Sequence, residues 1–216
     1  MVYITADTHG ELSRLTDREL KKIKIGDTLI ILGDFGYLWG DEKTVEKNLK
    51  KISKLPFKTV FIDGYNDDMN VISRYPQTVF HGAKAREIVK NKLFYVERGE
   101  TAVIDDCKIL FFGGRDDPDD DCFSDFVPNE ADFENRMENL AKCGNKTDYI
   151  LTHSPSGATE RFINQTGVRG GNTKDFLDRL RTVCEYKKWY FGCIHKDKYI
   201  SSKCQAVFEN IIKLGE

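Results

Sequence analysis

Leu29-Ile30-Ile31-Leu32-Gly33-Asp34 is the stretch on which the reading of this chain turns. The turn Gly26-Asp27 leads into an apolar strand over 28–32, and Gly-Asp ends that strand in a carboxylate. Three other apolar runs end the same way. Val2-Tyr3-Ile4 leads to Asp7-Thr8-His9, Tyr149-Ile150-Leu151 to Thr152-His153, and Trp189-Tyr190-Phe191 to Gly192-Cys193-Ile194-His195. Three of the chain's four histidines fall in these segments. The pattern places metal-ligand residues at strand ends.

Imidazole and carboxylate together suit Mn, Fe or Zn, whereas Mg or Ca alone would favour an all-oxygen shell. A site of two ions about 3.5–4 Å apart clamps the attacking and leaving oxygens of a phosphoryl transfer, and a carboxylate such as Asp34 is suited to bridge them. One Asp-x-His occurs by chance as a turn. Four such motifs in order, each closing a strand, do not.

Outward from residues 28–34, strand and helix alternate. Thr16 and Glu19 read as a capping box before a short helix at Leu20 to Ile23. Val45, Leu49, Ile52 and Leu55 recur at helical spacing, and Lys58 to Ile62 returns as a strand. Such βα repeats predict right-handed crossovers and a largely parallel first sheet. Leu93 to Glu97, Glu100 to Ile104 and Lys108 to Phe112 then read as consecutive hairpin strands opening a second sheet. Phe133, Met137 and Leu140 mark one amphipathic helix, and Phe176, Leu177, Leu180 and Cys184 another. The tail from Tyr199 to Leu214 reads as closing strands with a turn near Ser201-Ser202-Lys203.

Several residues carry two readings. Arg115 to Asp121 is an acidic segment read as a solvated loop, with Arg115 either meeting a substrate phosphate or pairing with its neighbouring aspartates. Thr166 to Thr173 reads as a linker whose Asn172 or Thr173 caps the next helix, or as a phosphate-binding loop with Arg169. Tyr37 and Trp39 stack on a base or simply pack. His81 reads as structural or rim-lining, outside the ligand set.

At 216 residues and 40% hydrophobic content, the chain is expected to form a single domain over 1–216. No run approaches the roughly 20 apolar residues of a membrane span, and no basic and apolar signal peptide opens the chain, so a cytoplasmic location is expected. Six scattered cysteines without CxxC pairs read as reduced thiols. A net charge of −2 lacks the basic excess that duplex binding uses. A small phosphorylated substrate, a nucleotide or a short single strand fits better.

The chain resembles the calcineurin-like metallophosphoesterases, in particular the small bacterial and phage-type members. Beyond the ligand motifs, the resemblance rests on Gly33-Asp34-Phe35-Gly36, Val60-Phe61-Ile62-Asp63-Gly64, His81-Gly82, Arg98-Gly99, Phe112-Gly113-Gly114, Asp148 to His153 and Lys188 to Gly192, in the family's order. It implies an α/β fold: a β-sandwich of two mixed sheets flanked by helices on both sides, layered α/β/β/α. It also implies hydrolysis of a phosphate ester through a metal-bound hydroxide. Asp7, His9 and His195 would hold the first metal, with Asp34 bridging to a second held by Asn66, His153 and Cys193.

Two positions depart from the family's pattern. Asp63-Gly64-Tyr65-Asn66-Asp67 stands where the family has Asp-Gly-Asn-His-Glu or Asp, so either Tyr65 or Asn66 takes the ligand position and the family's acid histidine is missing. Loss of general acid catalysis removes roughly 10²–10⁴-fold, which favours a phosphodiester, a nucleotide or an activated ester as substrate. Cys193 stands where the family has a histidine, and it reads either as a thiolate ligand or as a small buried apolar residue. The alternative to an enzyme is a weakened family member that binds a phosphorylated ligand without hydrolysing it.

Overall fold

In the computed structural model the described residues are 1–114, 128, 130–164 and 171–215. Among them the chain forms two mixed sheets, of seven and six strands, and five α-helices. The first half supplies β1 (Val2–Thr5), β2 (Thr28–Leu32), α1 (Glu42–Ile52), β3 (Lys58–Ile62), α2 (Met69–Ile72), β4 (Gln77–Phe80), β5 (Ala83–Val89) and β6 (Leu93–Val96). The second half supplies β7 (Thr101–Ile104), β8 (Cys107–Phe112), α3 (Glu130–Lys142), β9 (Tyr149–Thr152), α4 (Gly157–Asn164), α5 (Asn172–Val183), β10 (Lys188–Phe191), β11 (Lys198–Ser201), β12 (Cys204–Ala206) and β13 (Ile212–Lys213). The first sheet runs β13-β1-β2-β3-β6-β5-β4 and the second β11-β12-β10-β9-β8-β7.

Side-chain alternation explains the layering, because successive strand residues face opposite sides. Ile30, Leu32, Val60 and Ile62 of the first sheet meet Ile109, Phe111, Leu151 and Tyr190 of the second in one apolar cluster between the sheets. The intervening Ile31 and Phe61 face outward against Ile52 of α1 and Ile72 of α2. Leu110, Ile150 and Trp189 face the other way, against Phe133 and Leu140 of α3 and Phe176, Leu177 and Leu180 of α5. With both faces covered, the central strands read as continuous apolar runs.

Within each sheet the central strands are parallel, β1-β2-β3-β6 in one and β8-β9-β10-β12 in the other. Their C-terminal ends are joined across the sandwich: the Gly114 amide donates to the Asp63 carbonyl at 2.9 Å, and the Cys193 amide to Asp7 Oδ2 at 2.9 Å. Sequence-distant loops therefore meet along one edge.

Several expectations need correction. The short helix near residue 20 is a 3-10 turn over Arg18–Lys22 capped by Asp17, whose carboxylate accepts from the Glu19 amide at 2.7 Å, while Thr16 donates to the Ser13 carbonyl instead. An ionised acceptor forms the stronger bond. Leu93–Val96 belongs to the first sheet, parallel to β3 and antiparallel to β5, and the chain passes to the second sheet only at 97–100. The β4–β5 hairpin, with His81 at positive φ in its turn, and α4 were not anticipated. The His81 carbonyl accepts from the Val103 amide at 3.0 Å, so that turn also ties the two sheets. Gly171 precedes α5 without any side-chain cap, which corrects the role given to Asn172 and Thr173. The acidic segment 115–121, Cys122 and Arg169 lie outside the described residues. No described helix is long and apolar enough to cross a membrane, and the five described cysteines are free thiols.

Candidate metal centre

The strand ends carry the candidate ligands in a strained backbone. Asp7, His9, Asp34, Cys193 and His195 all have φ between 47° and 67°, half of the ten non-glycine residues with positive φ among those described. Asp and His tolerate the left-handed region better than most residues, and such strain clusters at functional sites. Each left-handed residue turns the chain sharply as it leaves the sheet.

Two glycines make room for the ligands. A Cβ on Gly33 would lie 2.2 Å from His153 Nδ1, and Gly33 itself sits at φ +83°. A Cβ on Gly64 would lie 2.3 Å from Asp34 Oδ1. The Gly-Asp and Asp-Gly pairs of the sequence are thus the hollows that admit the neighbouring strand's side chain.

Two groups converge, and Asp34 belongs to both. In one, His9, Asp34 and His195 offer ligand atoms that all lie within 4.8 Å of one another; in the other, Asp7, Asp34 and His153 do the same. Asp7 converges with Asp34 and His153, while His9 and His195 form the other group with Asp34. For Asp7 the reason is its loop. Asp7 Oδ2 is held by the Cys193 amide, which turns Oδ1 toward His153 Nδ1 at 3.5 Å. The first group is open, with His195 exposed, and the second is wholly buried.

The histidines are oriented for ligation. His153 Nδ1 lies 3.0 Å from the Leu32 carbonyl. A carbonyl only accepts, so Nδ1 donates to it and Nε2 faces the site, 3.8 Å from Asp34 Oδ1. His9 and His195 bring their Nε2 atoms to 3.1 Å. Two nitrogens about 2.0–2.1 Å from one ion stand about 2.8–3.4 Å apart when they subtend a right to tetrahedral angle there. The His195 ring stacks on Phe208, centroids 5.1 Å apart.

Asn66 meets Asp34 with side chain and backbone: its Nδ2 donates to Asp34 Oδ2 at 2.9 Å and its amide to Oδ1 at 2.8 Å. Cys193 contacts His153 but stands outside both convergent groups. Tyr37 is buried and donates to the Glu11 carbonyl, the packing alternative, whereas Trp39 is exposed.

The electrostatics suit a cation. Burial, aided by the charge of Asp34, raises the Asp7 carboxyl to about 7 despite the opposing pull of His153. Burial would lower His153, but Cys193, Asp34 and Asp7 outweigh it and hold the ring well above its ordinary value. Burial and repulsion from His9 lower His195, leaving a neutral imidazole with a free lone pair. Asp7 Oδ1 is buried with no hydrogen-bond partner. Leaving a buried carboxylate oxygen unmatched costs about 1–3 kcal/mol or more, and a cation shared with Asp34 would match it. The donor set of carboxylate and imidazole fits divalent transition metals.

Sequence reasoning missed the residues that brace this centre. Asp67 is buried and accepts from the amides of Phe35, Gly36 and Gly64 at 2.9–3.0 Å, tying the Asp34 loop to the Asn66 loop. Asp63 forms a buried ion pair with Arg98, at 2.7 Å to Nη2, and also accepts from the Tyr95 hydroxyl. Arg14 Nη2 donates to Thr5 Oγ1 and to the Ala6 and Phe208 carbonyls. Asp63, Asp67 and Arg98 sat inside noted motifs, but only the fold shows what they hold. No family model and no curated protein matches the chain.

Proposed function

We propose that this chain is a metal-dependent phosphoesterase of the calcineurin-like metallophosphoesterase type, acting on a phosphodiester, a nucleotide or an activated phosphate ester. The observation that carries this reading is the sharing of Asp34 by two convergent ligand groups, one open and one buried. The stacking of helices, two mixed sheets and helices is the layer order that the resemblance implies. Bound divalent ions, Mn, Fe or Zn, supply charge neutralisation on the phosphate and a water acidic enough to attack near neutral pH.

The chain's own residues do the positioning. Asp7, Asp34 and His153 form the closed half, while His9 and His195 form the half that faces solvent and admits the ester. Asn66 fixes the Asp34 carboxylate and brings an amide to the phosphate side. All four histidines are placed: three in the centre and His81 in the β4–β5 turn, so no imidazole remains to protonate the leaving group. That favours a leaving group stable as an anion.

The test compares bis-p-nitrophenyl phosphate with p-nitrophenyl phosphate in the presence of Mn. Faster turnover of the diester, about two ions per chain, and loss of both with Asp34→Asn are expected. Faster turnover of the monoester would defeat the substrate preference. Tight retention of an unhydrolysed nucleotide with one ion per chain would favour the second reading, a binder, which the loss of the acid histidine at 65–66 supports.

A further inference from the structure

On the outer face of the second sheet, away from the metal ligands, α4, α5, β10 and β12 enclose a cavity of about 310 Å³. Its wall is aromatic. Tyr186 and Trp189 meet edge to face with centroids 5.8 Å apart, and Phe162 stands at the lip, 67% exposed. A phenyl ring left in water forfeits burial worth about 1.5–3 kcal/mol, which an aromatic guest would recover by stacking.

The rim is cationic. Arg181 and Lys203 both line the cavity, both are exposed, and neither has an ion-pair partner among the described residues, the Lys203 ammonium lying 5.8 Å from the centroid of the Tyr186 ring. Glu185, on which the Lys203 charge acts, is held by Lys146 at 2.8 Å. Among the described residues no carboxylate lines the cavity, while Thr159 and Ser201 do. This is the complement of a flat ring that carries negative charge: Phe162 and the half-buried Tyr186 for stacking, with the buried Trp189 beneath, two cations for the anion, and hydroxyls for orientation. The volume lies at the low end for ligand sites, enough for one fused ring system with one anionic group.

We propose that this cavity is a second binding site, separate from the metal centre, for a planar aromatic anion of nucleoside monophosphate size. The site has a built-in reporter, because Trp189 is one of only two tryptophans and the other, Trp39, lies in the loop after Asp34. Trp189 Nε1 also donates to Thr152 Oγ1 at 2.9 Å, so the cavity wall is bonded to the residue before His153.

The experiment uses the full chain with Trp39→Phe, in excess chelator so that no metal contributes, and follows Trp189 emission while adenosine 5′-monophosphate is added. Saturable quenching is expected, with adenosine and inorganic phosphate each weaker by about tenfold or more, the worth of one charge-assisted bond or one stacked ring. Arg181→Glu with Lys203→Glu should weaken the nucleotide by a similar factor, and Phe162→Ala should weaken nucleotide and nucleoside alike. All three residues are exposed, and an unchanged circular dichroism spectrum verifies folding. Asp34→Asn should leave binding intact. An absence of saturation, equal binding of adenosine and its monophosphate, or indifference to the charge reversals would overturn the site; loss of binding in Asp34→Asn would move it to the metal centre. Because metal is excluded throughout, failure here and failure of the phosphoesterase reading are distinguishable.

Discussion

The two halves of the candidate centre share a carboxylate but differ in almost everything else. His9 and His195 sit on loops open to solvent and meet nitrogen to nitrogen, whereas Asp7 and His153 lie fully buried at the strand ends. Asn66 and Cys193 flank the enclosed half, Asn66 bonded to the shared Asp34 and Cys193 in contact with His153. The enclosed half is the better braced, by the Leu32 carbonyl, the Cys193 amide and the Gly33 hollow. Packing therefore fixes the geometry of the enclosed half, whereas the open half rests on its two imidazoles and the stacking of His195 on Phe208.

This contrast can be broken most severely at the shared residue. Asp34→Asn should remove metal from both halves and reduce turnover by at least about 10²–10³-fold, the loss typical of removing one charge-stabilising group, as measured by metal content and steady-state kinetics. Gly33→Ala comes next. Its methyl group collides with the His153 ring, so it should empty the enclosed half, leave one ion per chain by elemental analysis, and lower thermal stability. His195→Ala should instead weaken metal binding with little change in the melting temperature of the metal-free protein, because its ring is exposed. Equal destabilisation by these two variants would erase the distinction. Asp67→Asn, which touches no ligand directly, should lower metal affinity or activity by about 10–100-fold, as outer-shell changes do.

The smallest effect is a dependence on pH in the metal-free protein. Asp7 binds its proton more tightly when folded, with its carboxyl raised to about 7 from 3.8, and His153 is raised as well. Between pH 4 and 7 the folded state therefore holds protons that the unfolded chain has released, and their stabilising contribution is lost as pH rises through the folded values. The melting temperature of the metal-free protein should fall by about 5 °C between pH 5 and pH 8, and Asp7→Asn should flatten the slope. A melting temperature that rises with pH would sink this account.

The ligand half of this picture was legible in the sequence because metal chemistry restricts residue type and strand ends are marked by apolar runs. Asp7, His9, Asp34, His153 and His195 all reach the centre, and Asn66 meets Asp34. What stayed hidden has physical causes. The grouping of Asp7 with His153 depends on a backbone amide 186 residues away, which no spacing encodes. Leu93–Val96 and Thr101–Ile104 have the same apolar character, so nothing local reveals that the chain changes sheets between them. Asp63 and Asp67 look like turn residues until their partners, Arg98 and three backbone amides, are brought to them. Phe208 carries no ligand chemistry, and only the stacked His195 ring shows its place.

The positive φ angles at the strand exits have a consequence for how such a centre can change over time. A left-handed bend admits a narrow alphabet, chiefly glycine, asparagine, aspartate and histidine, and the same short list contains several good cation ligands. Point changes that respect the bend therefore tend to exchange one donor for another or delete it for glycine, without unfolding the loop. Cys193, at φ 67°, is the letter outside that alphabet, and Cys193→Asn or Cys193→Gly should relax the loop even as it removes the thiol.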